Sequence, residues 1–200
     1  MSFGTVEQFE DKIAEFFGAP YAVAVDCCTH GLELALRYTQ ADRILVPTHT
    51  YLSVPMLSNK LGIQRMWKQE EWKDYYHITS RVIDAAVLWK EDSYIADTFM
   101  VLSFQFKKHL NLGRGGAILV QNVEDWLELK AMAYDGRSPE DTPWAEQNIE
   151  KIGYHYYMTP EVAYNGLTKL NNPEFQNKER REWSWKDYPN IMNFKVFKNG

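Results

Sequence analysis

The sequence predicts an α/β fold, a three-layer sandwich built on a mainly parallel sheet. Short runs of consecutive apolar residues, typical of strands buried on both faces, alternate along the chain with segments of helical periodicity. Several of these runs end in a polar residue, as expected where strands reach a ligand-binding edge of a sheet. The length of 200 residues favours one large domain, or one domain with an appendage.

The first half of the chain predicts alternating helices and strands. Thr5 begins a capping-box pattern ahead of a helix whose apolar residues share one face, and Gly18 is suited to end that helix. The run YAVAV at 21–25 is apolar throughout and predicts a buried strand. Thr29 is suited to cap the helix that follows. Further elements are predicted as a strand over 44–47, a helix over 52–60 and a strand over 63–67.

The segment 68–77 is charged and aromatic and predicts no regular element. Residues 135–150 predict a polar loop, and Pro160 favours the first turn of a last helix that runs to about residue 170. After Pro173 the chain is charged and rich in tryptophan and tyrosine, and no order is predicted there. The other elements of this half are predicted as strands over 81–83, 99–102 and 115–120 and a helix over 123–133.

The composition argues against several classes of protein. The 27 acidic and 22 basic residues give a net charge of −5, so no binding to nucleic acid or to an anionic membrane is expected. No apolar run approaches the roughly 18 residues that span a bilayer, and the amino terminus lacks the pattern of a secretory signal. Cys27 and Cys28 are adjacent and cannot frame a fold, which favours a cytoplasmic location. The five histidines are scattered singly, so no metal site is expected.

Polar or chemically distinctive residues follow four of the predicted strands. In open α/β sheets, ligands bind beyond the carboxyl ends of the strands. Any one of these segments alone would be typical of a solvated loop, but their occurrence at corresponding strand ends favours one shared site. The segments are 26–30, 48–51, 84–86 and 103–108.

These segments carry the groups that a pyridoxal phosphate site requires. The amides around Thr29, at the start of a helix, are suited to bind a phosphate. Asp84 ends an apolar strand, where its charge needs a partner such as a protonated pyridine nitrogen. Lys108 could form an imine with a carbonyl if its pKa were lowered, and Tyr51 offers a ring for stacking. Spacing alone does not distinguish Lys108 from Lys107.

Motifs over most of the chain occur in the order of one enzyme family. The motifs are YAVAV at 21–25, VPTHTY at 46–51, IDAA at 83–86, SFQFKK at 103–108, GRGG at 113–116 and GYHYYMT at 153–159. In these motifs the sequence resembles the DegT/DnrJ/EryC1/StrS group of sugar aminotransferases, which are fold-type I enzymes that use pyridoxal phosphate. The resemblance implies the large domain of a fold-type I transferase with a reduced C-terminal part.

The register of the resemblance assigns a role to each candidate residue. It selects Lys108, not Lys107, as the lysine that holds the cofactor and then acts as general acid and base. It implies that Asp84 pairs with the pyridine nitrogen and that Tyr51 stacks on the ring. The residues implied to hold the phosphate are Cys28, Thr29 and Ser103, together with His155 of the partner subunit.

The resemblance also implies an activity and a setting. The expected reaction moves an amino group from glutamate or glutamine to a keto sugar, in particular a nucleotide-linked sugar used in polysaccharide biosynthesis. The expected assembly is a homodimer whose subunits share the active site. The expected domains are a cofactor-binding domain over 1–158, shortened between 62 and 84, and a reduced C-terminal helix and tail over 159–200.

Departures from the family pattern keep two alternatives open. The chain has Cys28 in place of a glycine, Val87 in place of a glutamine and Arg114 in place of a glutamate. It also has His155 and Tyr157 where the family has asparagine and arginine. These changes are compatible with a degenerate, non-catalytic binding protein. The other alternative is a pyridoxal-phosphate-dependent sugar dehydratase, against which the retained Lys108 argues.

Overall fold

A computed structural model describes residues 2–138 and 142–198, so the predicted loop over 135–150 lies partly outside the described residues. The helices are α1 (Phe3–Phe17), α2 (Cys28–Tyr38), α3 (Ser53–Leu61), α4 (Val123–Ala133), α5 (Pro160–Leu170), α6 (Pro173–Gln176) and α7 (Lys195–Lys198). The strands are β1 (Tyr21–Val25), β2 (Arg43–Pro47), β3 (Gln64–Lys68), β4 (Tyr76–His77), β5 (Val82–Asp84), β6 (Phe99–Ser103) and β7 (Gly116–Val120). Short 3-10 helices cover Trp144–Glu146 and Trp185–Asp187.

The α/β prediction is confirmed, but the sheet is mixed where a mainly parallel one was expected. Five strands pair in the order β1-β7-β6-β5-β4, while β2 and β3 form a separate parallel pair. Strand β7 is antiparallel to both of its neighbours, so β1 and β6 run in the same direction as β5. The short connection from β6 to β7 contains no crossover helix, and a parallel pair would require one.

Helices cover both faces of the sheet and give the expected three layers. Alternate residues of β1 point to opposite faces, so Val23 and Val25 belong to one core cluster while Ala22 and Ala24 belong to the other. The first cluster is closed by α2, α3 and α4, and the second by α1 and α5. Within the described residues no helix is both long and apolar enough to cross a membrane.

Two helix starts differ from the sequence prediction. Helix α1 begins at Phe3, two residues before the predicted Thr5, and its N-cap residue Ser2 makes no side-chain capping bond. Helix α2 has Cys27 as its N-cap, so Thr29 lies inside the first turn. The Thr29 hydroxyl bonds to a side chain of another helix instead of capping its own helix. The predicted stop at Gly18 is confirmed, because Gly18 ends α1 with a left-handed φ of 71°.

The two segments without a prediction pack against each other. The segment 68–77 contains β4, which pairs antiparallel with β5. The C-terminal tail after Leu170 crosses this region: the Asp74 N–H donates to the Trp183 carbonyl at 2.9 Å, and the Trp185 N–H donates to the Trp72 carbonyl at 3.1 Å. The tail thereby reaches the carboxyl ends of the strands. The division into domains at residues 158 and 159 stays a prediction.

Candidate functional site

A cavity of about 730 Å³ opens where β1, β2, β5 and β6 end. This volume lies within the range of small-molecule sites. Six of the seven residues predicted to form the site line this cavity: Cys28, Thr29, Tyr51, Asp84, Ser103 and Lys108.

Asp84 supplies a buried carboxylate to this cavity. It is the last residue of β5 and is 5% exposed. The Tyr76 hydroxyl donates to Oδ2 at 2.5 Å, and the Ala86 backbone N–H donates to Oδ1 at 3.0 Å. Burial raises the pKa of Asp84, while these two hydrogen bonds and the positive charge of Lys108 act in the opposite direction.

Lys108 supplies a half-buried amine to the same cavity. It sits in the turn after β6, and its Nζ lies 5.7 Å from the ring centroid of Trp183. Burial lowers the pKa of Lys108, and the charge of neighbouring Lys107 lowers it further, whereas Cys28 and Asp84 oppose this shift. Lys107 itself is exposed and lies over the Phe106 ring. The two lysines that spacing could not separate therefore differ in environment.

Two helix N-termini meet at the cavity wall. Thr29 lies in the first turn of α2, Ser53 is the first residue of α3, and their hydroxyl oxygens are 2.8 Å apart. Both residues line the cavity. Backbone N–H groups at helix N-termini attract anions, so this wall is suited to a phosphate or carboxylate. Ser53 was not among the sequence-predicted residues, because nothing local indicates that α3 starts beside α2.

The start of α2 lies close against β7. A Cβ on Gly116 would lie 2.7 Å from the Cys28 backbone nitrogen and 2.8 Å from the Leu102 carbonyl oxygen, so only glycine fits there. The Cys28 side chain turns inward, with Sγ 3.8 Å from the Val101 carbonyl oxygen and 4.0 Å from Asp84 Oδ1. Burial and the charge of Asp84 raise the pKa of the Cys28 thiol, which therefore stays protonated.

Aromatic side chains form the outer part of the cavity. Tyr51 lines it and is 62% exposed. The C-terminal tail adds Trp183 and Tyr188, and the segment before β4 adds Trp72. A partly buried ion pair between Arg180 and Asp74 anchors the tail. The aromatic content of the tail was the sequence signal for this wall, although its position could not be predicted.

His155, the seventh candidate, does not line the cavity. It is exposed, and its Nδ1 lies 2.9 Å from Asp135 Oδ2. The single chain therefore does not bring His155 to the other predicted residues. Its expected role required a partner subunit.

An ion-pair cluster borders the cavity at the start of α2. Asp26 lies 2.7 Å from both His30 Nδ1 and the Arg114 guanidinium. The Asp26 hydrogen bond raises the pKa of His30 to about 9, with a further contribution from Cys27. Donor atoms of Asp26, Cys27 and His30 lie within 4.8 Å of one another, but the two Asp26 oxygens already bind His30 and Arg114.

Comparison with known proteins adds a family match. The model of the DegT/DnrJ/EryC1/StrS aminotransferase family matches residues 2–88 and 94–193. An uncharacterized protein from Methanocaldococcus jannaschii is 22% identical over 229 aligned residues, which cover 88% of this chain and 59% of that protein.

Solved structures show the same fold. AtS13 from Actinomadura melliaura superposes with a TM-score of 0.73 at 20% identity, covering 86% of this chain and 60% of its own. The sugar aminotransferase CalS13 from Micromonospora echinospora gives 0.68 at 16% identity, with coverage of 84% and 60%. The PLP form of Spr1654 from Streptococcus pneumoniae gives 0.68 at 19% identity, with coverage of 84% and 59%. The chain thus spans about 60% of the length of these proteins.

Proposed function

Because the chain belongs to the DegT/DnrJ/EryC1/StrS aminotransferase family, we propose that it binds pyridoxal phosphate and transfers an amino group to a keto sugar. The observation that carries this proposal is the presence of a half-buried amine, Lys108, and a buried carboxyl group, Asp84, in one cavity. The proposed amino donor is glutamate or glutamine, and the proposed acceptor is a nucleotide-linked sugar used in polysaccharide biosynthesis.

The chemistry of the donor set suits this cofactor. Asp84 offers an acceptor for a protonated ring nitrogen, and Lys108 offers an amine for the aldehyde carbon. The paired helix starts at Thr29 and Ser53 offer backbone N–H groups and hydroxyls to a phosphate. Ser103 would add a third hydroxyl from the end of β6.

Each side chain has a defined task in the proposed reaction. Pyridoxal phosphate, when bound, supplies an electron-withdrawing ring that stabilises negative charge next to the reacting nitrogen. The lowered pKa of Lys108 increases the fraction of its Nζ that is neutral and able to accept a proton. The Asp84 carboxylate would keep the ring nitrogen protonated, and Tyr51 would stack on the ring face. Trp183 and Tyr188 would limit the entry of water.

A homodimer is part of the proposal. Tyr51 and Phe106 stand at the cavity wall with 62% and 57% of their surface exposed. A second copy of the chain would cover such apolar rings and would bring its own His155 towards the phosphate wall. The proposed compartment is the cytoplasm, where the two neighbouring cysteines stay reduced.

A non-catalytic binding protein is the second candidate. Its specific support is Val87, an apolar side chain that lines the cavity where the family has a glutamine. In that case the chain would take up a ligand without converting an amino donor. A sugar dehydratase is less well supported, because Lys108 is retained in the cavity.

The test is conversion of an amino donor by protein loaded with pyridoxal phosphate. Added glutamate or glutamine should give its keto acid at about one molecule per site, and subsequent addition of a keto-sugar nucleotide should restore the starting absorbance. Lys108→Ala should abolish conversion, while Lys107→Ala, which removes the neighbouring exposed amine and keeps Lys108, should still convert the donor. Cofactor uptake without conversion of either donor would favour the non-catalytic candidate.

A further inference from the structure

The short strand β4 brings a second buried side chain to Asp84. Tyr76 lies opposite Asp84 in the antiparallel pairing of β4 with β5, and it is 5% exposed. Its phenol oxygen contacts two groups, Oδ2 of Asp84 and the hydroxyl of Thr50. Thr50 is itself buried and follows β2. A chain of hydrogen bonds therefore joins the loop after β2 to Asp84 through Tyr76.

The direction of these hydrogen bonds follows from the number of protons available. A tyrosine hydroxyl carries one proton, and an ionised carboxylate can only accept. The Tyr76 proton therefore goes to Asp84, and the Thr50 hydroxyl must donate to the Tyr76 oxygen. Burial and the neighbouring charge of Asp84 raise the pKa of Tyr76, so the phenol remains protonated and can serve as donor.

We propose that Tyr76 is a positioning residue for Asp84, holding its carboxylate ionised and oriented toward the cavity through a Thr50–Tyr76–Asp84 relay. The inference rests on the proposed function, because an ionised Asp84 matters most when a protonated ring nitrogen faces it. Tyr76 acts through Asp84 and needs no contact with the substrate. A hydrogen bond to a charged group contributes more than one between neutral groups, so its loss should be measurable.

Of the groups around Asp84, the Tyr76 hydroxyl can be removed with the least change to the others. From α2, the Cys28 thiol is held protonated by burial and by the Asp84 charge. From the turn after β6, Lys108 contributes a positive charge that the proposed reaction requires. From the tail comes Tyr188, whose pKa is raised by burial and by Asp84, so it is neutral near pH 7. The remaining bond comes from the Ala86 backbone, which substitution cannot delete.

The experiment measures the ionisation of Asp84 directly in the full chain without cofactor. Carbon-13 NMR of labelled aspartate carboxyl groups follows its titration, with Asp84→Asn identifying the signal. Tyr76→Phe removes only the donor hydroxyl and should raise the Asp84 midpoint by about one pH unit, an acid constant about tenfold smaller. Thr50→Val keeps the phenol and should give a smaller rise. Tyr75→Phe alters the neighbouring, partly exposed phenol and should give none.

A second readout uses pyridoxal phosphate as the probe. Its dissociation constant should increase about tenfold in Tyr76→Phe, less in Thr50→Val and not at all in Tyr75→Phe. Thermal melting identifies a variant that has lost its fold, and Thr50→Val then tests the relay with the tyrosine ring in place. An unchanged Asp84 midpoint in folded Tyr76→Phe overturns the inference. If Tyr76→Phe shifts the Asp84 midpoint but the wild type takes up no pyridoxal phosphate, the relay is upheld and the proposed function is overturned.

Discussion

The hydroxyl oxygen of Thr29 lies 2.8 Å from that of Ser53, and this contact joins the first turns of α2 and α3 at the wall of the cavity. Helix N-termini carry unpaired N–H groups and a partial positive charge, and the first turns of both helices line this wall. We assign the phosphate of the proposed cofactor to this pair, and its ring nitrogen to the carboxylate of Asp84. Its contribution can therefore be measured separately.

Ser53→Ala should weaken binding of pyridoxal phosphate about threefold to tenfold, because one hydroxyl near the phosphate is lost. The same variant should bind pyridoxal, which has no phosphate, as the wild type does. Titration of both compounds by absorbance measures the difference, and Ser93→Ala, outside the cavity lining, serves as the control. An equal loss of affinity for both compounds would contradict the assignment of this wall to the phosphate.

Gly116→Ala should destabilise the protein and weaken the site together. Its Cβ would meet backbone atoms of Cys28 and Leu102 at 2.7 and 2.8 Å, and backbone atoms cannot move aside as a flexible side chain can. Overpacking of this kind lowers the free energy of unfolding by about 1–3 kcal/mol. Urea denaturation measures this change in the free energy of unfolding. Gly4→Ala has room for its Cβ inside α1 and should be neutral or slightly stabilising; equal behaviour of the two variants would contradict the close packing of α2 on β7.

The ion pair of His30 with Asp26 should make stability depend on pH. The Asp26 hydrogen bond raises the pKa of His30 to about 9, above its unfolded value near 6.5. The stabilisation is therefore fully present below pH 6.5 and is lost as the pH rises through 9. After allowance for the solvent screening of this partly exposed pair, it amounts to about 1 kcal/mol. Subtracting the unfolding free energies of His30→Gln from those of the wild type between pH 6 and 10 should show this loss, and a difference that does not change with pH would contradict it.

The ion pair of Arg180 with Asp74 should hold the C-terminal tail over the cavity. Removal of Arg180 leaves a poorly solvated carboxylate unpaired, so Arg180→Ala should release the tail. Hydrogen exchange should then accelerate for residues 183–191 and remain slow in β6 and β7. Arg43→Ala, which removes an exposed arginine, is the control. Unchanged exchange in the tail of Arg180→Ala would show that the backbone bonds to Trp72 and Asp74 suffice.

Much of the fold could be predicted because its signals are local. The apolar runs of β1, β6 and β7 mark their own positions, and Gly18 and Pro160 mark helix ends. The pairing of strands is not local, so the antiparallel position of β7 and the short β4 could not be predicted. Helix starts also depended on distant contacts, since the Thr29 hydroxyl binds Ser53 rather than its own helix.

The residues of the site also divide into those that could be predicted from the sequence and those that could not. Asp84, Lys108 and Tyr51 follow strands, where a ligand-binding edge is expected, and the structure brings them to one cavity. Tyr76 and Trp183 lie in segments without periodicity. The pairing of β4 with β5 brings Tyr76 to Asp84, and the packing of the tail on the 68–77 segment brings Trp183 to the cavity. A residue such as Tyr76, which contacts another side chain of the site, belongs to no recognisable sequence pattern.

The most direct test of the proposed function locates the lysine that holds the cofactor. The chain is incubated with pyridoxal phosphate, borohydride reduces any carbon–nitrogen double bond to a stable bond, and tandem mass spectrometry identifies the modified residue. We predict one modification per chain, at Lys108, together with loss of the visible absorbance band in Lys108→Ala but not in Lys107→Ala. Modification at Lys107, a spread over surface lysines, or no modification at all would contradict this prediction.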